Sequence, residues 1–411
     1  MISNVRSLAF GVVVLFAASS VAWAQVKPGV VRPWDDGATS PEVGRPMAGG
    51  PTSAPTGMQE GADHIVGQQC TNGGFGWPHD DCSATYNNIT APICLGVLRA
   101  YGYTGDAGHL ASVVAGADFD LTFEYGNSES RFGGGAPYFL WQTSMATGDS
   151  QYTNHAATAF FDELSAGTYG PDDLDTAGWI ASVQAGRAGT WINLLPWEFH
   201  TLVPAATAIG NAGQADAFKQ GILDGLNTMD NTDPGAVYSD IIGLAGGVRG
   251  LAFAGATSFP AIASPNHGLI NGISTLKDLA DVLAGLQNAD GSWYWHSNLG
   301  APVNDDKDTQ TTAYALMALL DADGLVSSDY STQIVAARDW LLSMQTGTGG
   351  FMSWPGGTEN TEVEGEALQA IVLSSRVAGI PATSTWGLVA TLLLGLTAGT
   401  VLFTRKRQAV A

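Results

Sequence analysis

Three short stretches of the chain share one spacing. "QCTNGGFGW" sets Gln69, Gly73, Phe75 and Trp77 in the same register as Gln287, Gly291, Trp293 and Trp295 of "LQNADGSWYW". "QTGTGGFMSW" repeats it with Gln345, Gly349, Phe351 and, one residue late, Trp354. A glycine in such a turn supplies a positive φ that other residues resist. The aromatics bring large apolar area to bury against a neighbouring element. The glutamine amide is suited to carbonyls left open where a helix ends. The motif is therefore a structural staple, and the fold must bring its copies into equivalent places.

The copies are spaced as multiples of roughly 55 residues, which implies about six units. Each unit reads as a helical hairpin. "TLKDLADVLAGLQ" puts Leu276, Leu279, Leu283 and Leu286 on one face behind a Thr275/Asp278 cap, and "STQIVAARDWLLSMQ" does the same with Ile334, Ala337, Leu341 and Met344. After each aromatic turn comes a second, more apolar helix. One starts at Asp308 and Thr309, another at Asn360 and Thr361, and the first unit fills the slot with "CSATYNNITAPICLGVLRAYG". Between them, helix pairs are expected at 107–127 with 133–148, 151–165 with 193–210, and 214–229 with 239–255, with an extra helix near 174–188. No alternating run of Val, Ile and Thr argues for a sheet.

A Gln-x-x-x-Gly-[Gly/Ser]-[Phe/Trp]-x-Trp motif paired with an Asp/Asn-Thr helix start resembles the QW repeats of the squalene–hopene cyclase and protein prenyltransferase superfamily. The resemblance implies an all-α fold: an (α/α)6 toroid of about six helical hairpins over residues 58–376, whose inner-helix starts surround a central cavity.

The two ends add other features. Arg6, the apolar run "LAFGVVVLFAASS" and Ala22-Trp23-Ala24 read as a signal peptide over 1–24. A Pro- and Gly-rich stalk is expected over 25–57. At the C-terminus, 380–407, the uncharged run from Trp386 to Phe403 is followed by Arg405, Lys406 and Arg407, and reads as a single transmembrane helix over 386–403. Ile380, Pro381, Ser384, Trp386 and Gly387 resemble the IPTL type of bacterial sorting tail, a relative of the PEP-CTERM tails. That resemblance implies export, envelope display, membrane attachment through the C-terminal helix and a sorting protease as partner.

The chain is acidic, at −22. Nucleic acid is thereby excluded as a partner, and a polyanionic substrate would be repelled unless local basic groups compensated. Of the three cysteines, Cys70 and Cys82 are the favoured disulfide, because Cys94 sits in the apolar run "APICLGVL".

Chemistry is harder to place. The cyclases protonate their substrate from an Asp-x-Asp-Asp-Thr-Ala motif, but "PDDLDTA" (Pro171 to Ala177) has Leu174 where the proton donor belongs. The prenyltransferases hold zinc with an Asp-x-Cys pair and a histidine. Asp80 and Cys82 match the pair and His200 offers a third ligand, but it lies about two repeats away rather than one, and a disulfide would withdraw Cys82. No metal and no cofactor are expected. A short likeness of "DDCSATYNNI" to a pectate lyase segment raises Tyr86. Helix starts face the cavity in such toroids, so Asp308, Glu364 and Tyr86 are the catalytic candidates. Asp305, Tyr314, His296, Glu198 and His200 are candidates for ligand binding, with Glu362 also near the rim. The leading expectation is a toroid that binds a glycan, a small apolar ligand or a partner in its bowl without cyclase chemistry. The alternatives are a carbohydrate-active enzyme similar to the polysaccharide lyases and a non-catalytic scaffold with a filled bowl.

Overall fold

The computed structural model describes residues 57–78, 81–122, 135–233, 236–298 and 307–378. The signal peptide, stalk and sorting tail expected from the sequence, together with Asp80 and Asp305, lie outside the described residues. No helix among those described is long and apolar enough to cross a membrane.

Among the described residues the fold is helical, with isolated β-bridges in the turns. Outer and inner helices alternate along the chain. The outer ones are Met58–Gly67, Ala107–Asp120, the run 151–166, Ala212–Thr228, Leu276–Gly285 and Ser331–Ser343. The inner ones are Asn87–Thr104, Gly135–Thr147, the run 195–208, Asp240–Phe253, Thr309–Asp323 and Thr361–Ala378. Each inner helix packs on the next, and Thr361–Ala378 packs on Asn87–Thr104, so the inner ring closes. The extra helix Thr176–Arg187 lies in the third hairpin, where the sequence placed it.

Burial explains why the two sets differ in composition. The outer helix Leu276–Gly285 buries one stripe, Leu276, Leu279, Ala280 and Leu283. The inner helix Asp240–Phe253 is buried on nearly every side, because it touches both ring neighbours and its outer partner. Small residues let inner helices approach: a Cβ on Gly96 would stand 2.2 Å from the carbonyl oxygen of Gly365. In the third outer helix a π-helical turn, Ala157–Asp162, buries the adjacent Phe160 and Phe161 together in an aromatic cluster with Trp179.

The repeated motif is a staple, by a different contact than helix-end capping. Gln287 Nε2 donates to the carbonyl of Gly291 in its own turn (3.0 Å) and to that of Gln333 on the next outer helix (2.9 Å). Gln69 does the same to Gly73 and Ser112, and Gln345 to Gly349 and Gly57. The last of these joins the sixth hairpin to the first. Gly291 has φ 96°, and a Cβ there would stand 2.2 Å from the carbonyl oxygen of Ala336, so both backbone conformation and space require glycine.

The two aromatics of the motif separate in role. Phe75, Trp293 and Phe351 are fully buried. Trp77 and Trp354 are 52% and 45% exposed, and with Trp295 they turn toward the centre of the ring. The expectation that both aromatics pack between hairpins is corrected accordingly. Cys70 and Cys82 form the expected disulfide and Cys94 is a buried thiol. Cys82 is thus withdrawn from metal binding, and the bridge brackets the loop that carries Trp77.

Candidate functional site

The bowl encloses a cavity of about 330 Å³. An apolar plug, as a scaffold would have, does not fill it. Three carboxylates line it, Glu198, Asp308 and Glu362, each in or just before the first turn of an inner helix. Asp308 precedes Thr309–Asp323 in extended conformation and accepts from the Thr311 amide at 2.6 Å. Burial pushes the Asp308 carboxyl up to about 6, against the pull of that hydrogen bond.

The start of Thr361–Ala378 contributes one more, with a second acid behind it. Glu362 lines the cavity, and burial pushes it up to about 7 although a hydrogen bond from Trp77 pulls the other way. Glu366, one turn on, is fully buried and is pushed well above the usual carboxylate range by burial and by the charge of Glu362. The Tyr314 hydroxyl donates to it. Burial and these carboxylates together push the Tyr314 phenol up. Tyr238 responds in the same way, raised first by burial and then by Asp308 and Glu362, so the group senses one another's charge across the bowl.

A second wall comes from the run 195–208. Glu198 is buried and paired with Arg187; burial wins and raises it to about 7. His200 is depressed to about 3 by burial and by Arg249, and its Nδ1 meets the carbonyl of Trp197, so it is a neutral ring near neutral pH. Arg249, also on the wall, bonds Asp321 through Nε at 2.8 Å. Rings cover the mouth: Tyr238 lies between Trp191 (4.7 Å between centroids) and Trp295 (4.4 Å), while Trp197 meets Tyr314 edge-on at 5.5 Å.

Of the residues singled out in the sequence, Asp308, Tyr314, Glu198 and His200 converge on this cavity. Three do not. Glu364 points away from it, because residues two apart on a helix face different sides; its oxygens meet His64, Gln68 and the Phe351 amide instead. His296 is sequestered with His267 and Ser297 around Asp240. Burial alone would raise that aspartate, but hydrogen bonds from both histidines and the serine outweigh it and hold it well below the usual range. Tyr86 precedes Asn87–Thr104 with its ring 41% exposed and outside the cavity lining. "PDDLDTA" is a helix cap: Asp175 accepts from the Gly178 amide at 2.7 Å, and none of its residues lines the cavity.

Glu366, Tyr238, Arg187 and Arg249 were missed. For Glu366 a signal existed, since Glu362 and Glu366 stand four apart and share a helix face. The arginines lay in sequence stretches without a motif.

The chain matches no protein-family model and no curated protein. Solved structures resemble it in fold. An unsaturated glucuronyl hydrolase specific for heparin superposes with a TM-score of 0.52 at 12% identity, covering 79% of this chain and 97% of its own. A protein from Salmonella enterica described as a possible member of the GH105 family gives 0.50 at 13%, covering 79% and 93%. The unsaturated glucuronyl hydrolase of Bacillus sp. GL1, responsible for glycosaminoglycan degradation, gives 0.50 at 15%, covering 77% and 95%. The toroid is thus shared with glycan hydrolases, and no cyclase kinship is supported. With carboxylates gathered in an open cavity, this overturns the expectation of a bowl that binds without catalysing.

Proposed function

We propose that the chain is a carbohydrate-active enzyme that hydrolyses a glycosidic linkage in the bowl, with Asp308 and Glu362 as its acid–base pair. The observation that carries this reading is the pair itself: two carboxyls in one cavity, raised to about 6 and about 7, under a mouth of indole rings. Glycosidic cleavage needs one carboxylic acid to protonate the departing oxygen and one carboxylate to activate water or attack the anomeric carbon. Asp308, the lower of the two, ionises first and serves as base. Glu362 keeps its proton longer and serves as acid. Flat indole faces suit the apolar C–H faces of sugar rings.

The substrate class follows from charge and from the neighbours. The similar structures are named for unsaturated glucuronyl groups, and Arg187 and Arg249 stand on the wall of this bowl, each shared with a carboxylate, Glu198 and Asp321, for which an acidic sugar would compete. A long polyanion would meet the repulsion of a −22 chain. A short oligosaccharide ending in an acidic sugar pays that cost only once. The reading is tested by assaying the protein on acidic and neutral oligosaccharides. Turnover of an acidic class that disappears in Asp308→Asn and in Glu362→Gln supports it. Absence of turnover across both classes, or variants as active as the parent, overturns it.

The location proposed from the sequence is the cell envelope, reached through the signal peptide and held by the 380–407 tail. Deleting that tail and fractionating the cells tests it: release of the protein from membranes is the expected result.

A further inference from the structure

Away from the bowl, where the ring closes, His64 of the first outer helix faces Glu359 and Glu364 of the last hairpin. His64 Nε2 lies 3.5 Å from Glu359 Oε2 and 3.5 Å from Glu364 Oε1. The three ligand atoms lie within 4.8 Å of one another. We infer that these residues form a site for a divalent transition-metal ion of the zinc class, which clasps the first hairpin to the last. The inference is independent of the catalytic reading, since none of the three residues lines the cavity.

The distances themselves argue for an ion. At 3.5 Å neither contact is a formed N–H···O hydrogen bond. Two ligand atoms each about 2.0–2.1 Å from a tetrahedral zinc stand roughly 3.3–3.4 Å apart, close to the 3.5 Å of the two histidine–carboxylate pairs. Charge argues the same way. Glu364 is fully buried and Glu359 mostly so, and the cost of bringing two carboxylates together in such a place is offset by a cation held between them. The donor set of one nitrogen and two carboxylate oxygens suits zinc and its neighbours, and partial exposure of His64 and Glu359 leaves a side for water.

The backbone leaves room for the convergence. A Cβ on Gly350 would stand 2.5 Å from Glu364 Oε1, 2.7 Å from His64 Nε2 and 2.8 Å from the Glu359 carboxyl carbon. The supporting contacts leave the facing atoms in place. Gln68 donates to Glu364 Oε2, and the Gln68 carbonyl oxygen accepts from Thr361. Thr346 and Thr348 donate to Glu359 Oε1, leaving Oε2 toward the histidine. The Phe351 amide reaches Glu364 Oε1 at 3.3 Å. Gln68 Nε2 also lies 2.6 Å from His64 Nε2. That contact holds the ring toward the carboxylates without metal and is exchanged for the metal bond on binding, while the amide keeps its other two partners.

The test uses the full chain stripped with a chelator and titrated with Zn²⁺, reading bound metal per chain and the thermal midpoint. One equivalent bound and a higher midpoint are expected. Both should be lost in His64→Gln and Glu364→Gln, and in Gly350→Ala, which fills the space without a positive-φ penalty. Asp106→Asn, in the group formed by exposed Asp63 and Asp106 with buried His109, should leave both intact. Should a variant fail to fold, Co²⁺ bound to the parent reports directly, since histidine–carboxylate coordination of low number gives a strong visible d–d band. No saturable binding by the parent, binding undiminished in folded His64→Gln, or loss on Asp106→Asn would each overturn the inference.

Discussion

Asp308 and Glu362 differ in how the same environment acts on them. Both are raised by burial, but Asp308 retains a hydrogen bond from the Thr311 amide, and the start of a helix favours its negative form. Hydrolysis then requires Asp308 ionised, above about pH 6, and Glu362 protonated, below about pH 7. The expected profile of kcat/KM is a narrow bell with its maximum between those values. Replacing either group should cost about 10²–10⁴-fold in rate. The two losses are distinguishable. Glu362→Gln should remove the alkaline limb and harm substrates with poor leaving groups most, whereas Asp308→Asn should harm good and poor leaving groups alike. A profile flat from pH 5 to 8 would contradict the assignment. Trp354 carries the complementary prediction: an exposed ring at the mouth holds sugar and transfers no proton, so Trp354→Ala should raise KM by roughly tenfold, about the worth of one stacking contact, with kcat little changed, whereas Trp77→Ala also deprives Glu362 of a hydrogen bond and should alter both.

The staple shows how much of an element is legible in sequence. The spacing from Gln287 to Trp293 fixed the hairpin, its turn and the order of its helices, because a positive φ and a buried ring are local demands that a local sequence must meet. The partner of the glutamine was not legible, since Gln333 belongs to the next hairpin and only folding brings it near. The same limit separates Asp308, found from its helix start, from Arg187 and Arg249, which the ring brings in from helices without a recognisable motif. It also explains Glu364, which shares a helix start with Glu362 but faces the seam. Gln287→Ala should leave the Gly291 and Gln333 carbonyls without their amide donor and cost about 1–3 kcal/mol. Gly291→Ala should cost more, because it adds a collision with the Ala336 carbonyl to an unfavourable φ. Equilibrium denaturation of each variant measures both; equal and negligible losses would mean that the turn is held by its aromatic alone.

The closed ring gathers acidic groups that the unfolded chain would disperse, and this sets how the whole molecule responds to pH. Glu198, Glu362 and Glu364 are held at about 7 and Asp308 at about 6, all above their unfolded values. The folded state therefore holds more protons than the unfolded state between about pH 4 and pH 7, and stability falls as pH rises through that window. Asp240, held low by His267 and His296, has the opposite sign and loses its contribution only in stronger acid. A thermal midpoint highest near pH 4 and declining toward pH 8 is the expected outcome, measured with a chelator so that no bound ion ionises Glu364. Surface repulsion in a −22 chain predicts a decline of the same sign, but the two differ in their response to salt. Screening over about 10 Å at 0.1 M salt relieves exposed charges and leaves buried ones nearly untouched. The decline should therefore persist in high salt, and Glu366→Gln, which removes the fully buried acid behind the cavity wall, should flatten it and raise stability at pH 8 by about 1–3 kcal/mol. A decline that salt abolishes and that Glu366→Gln leaves unchanged would assign the effect to the outer surface and remove the grounds for a protonated acid in the bowl at neutral pH.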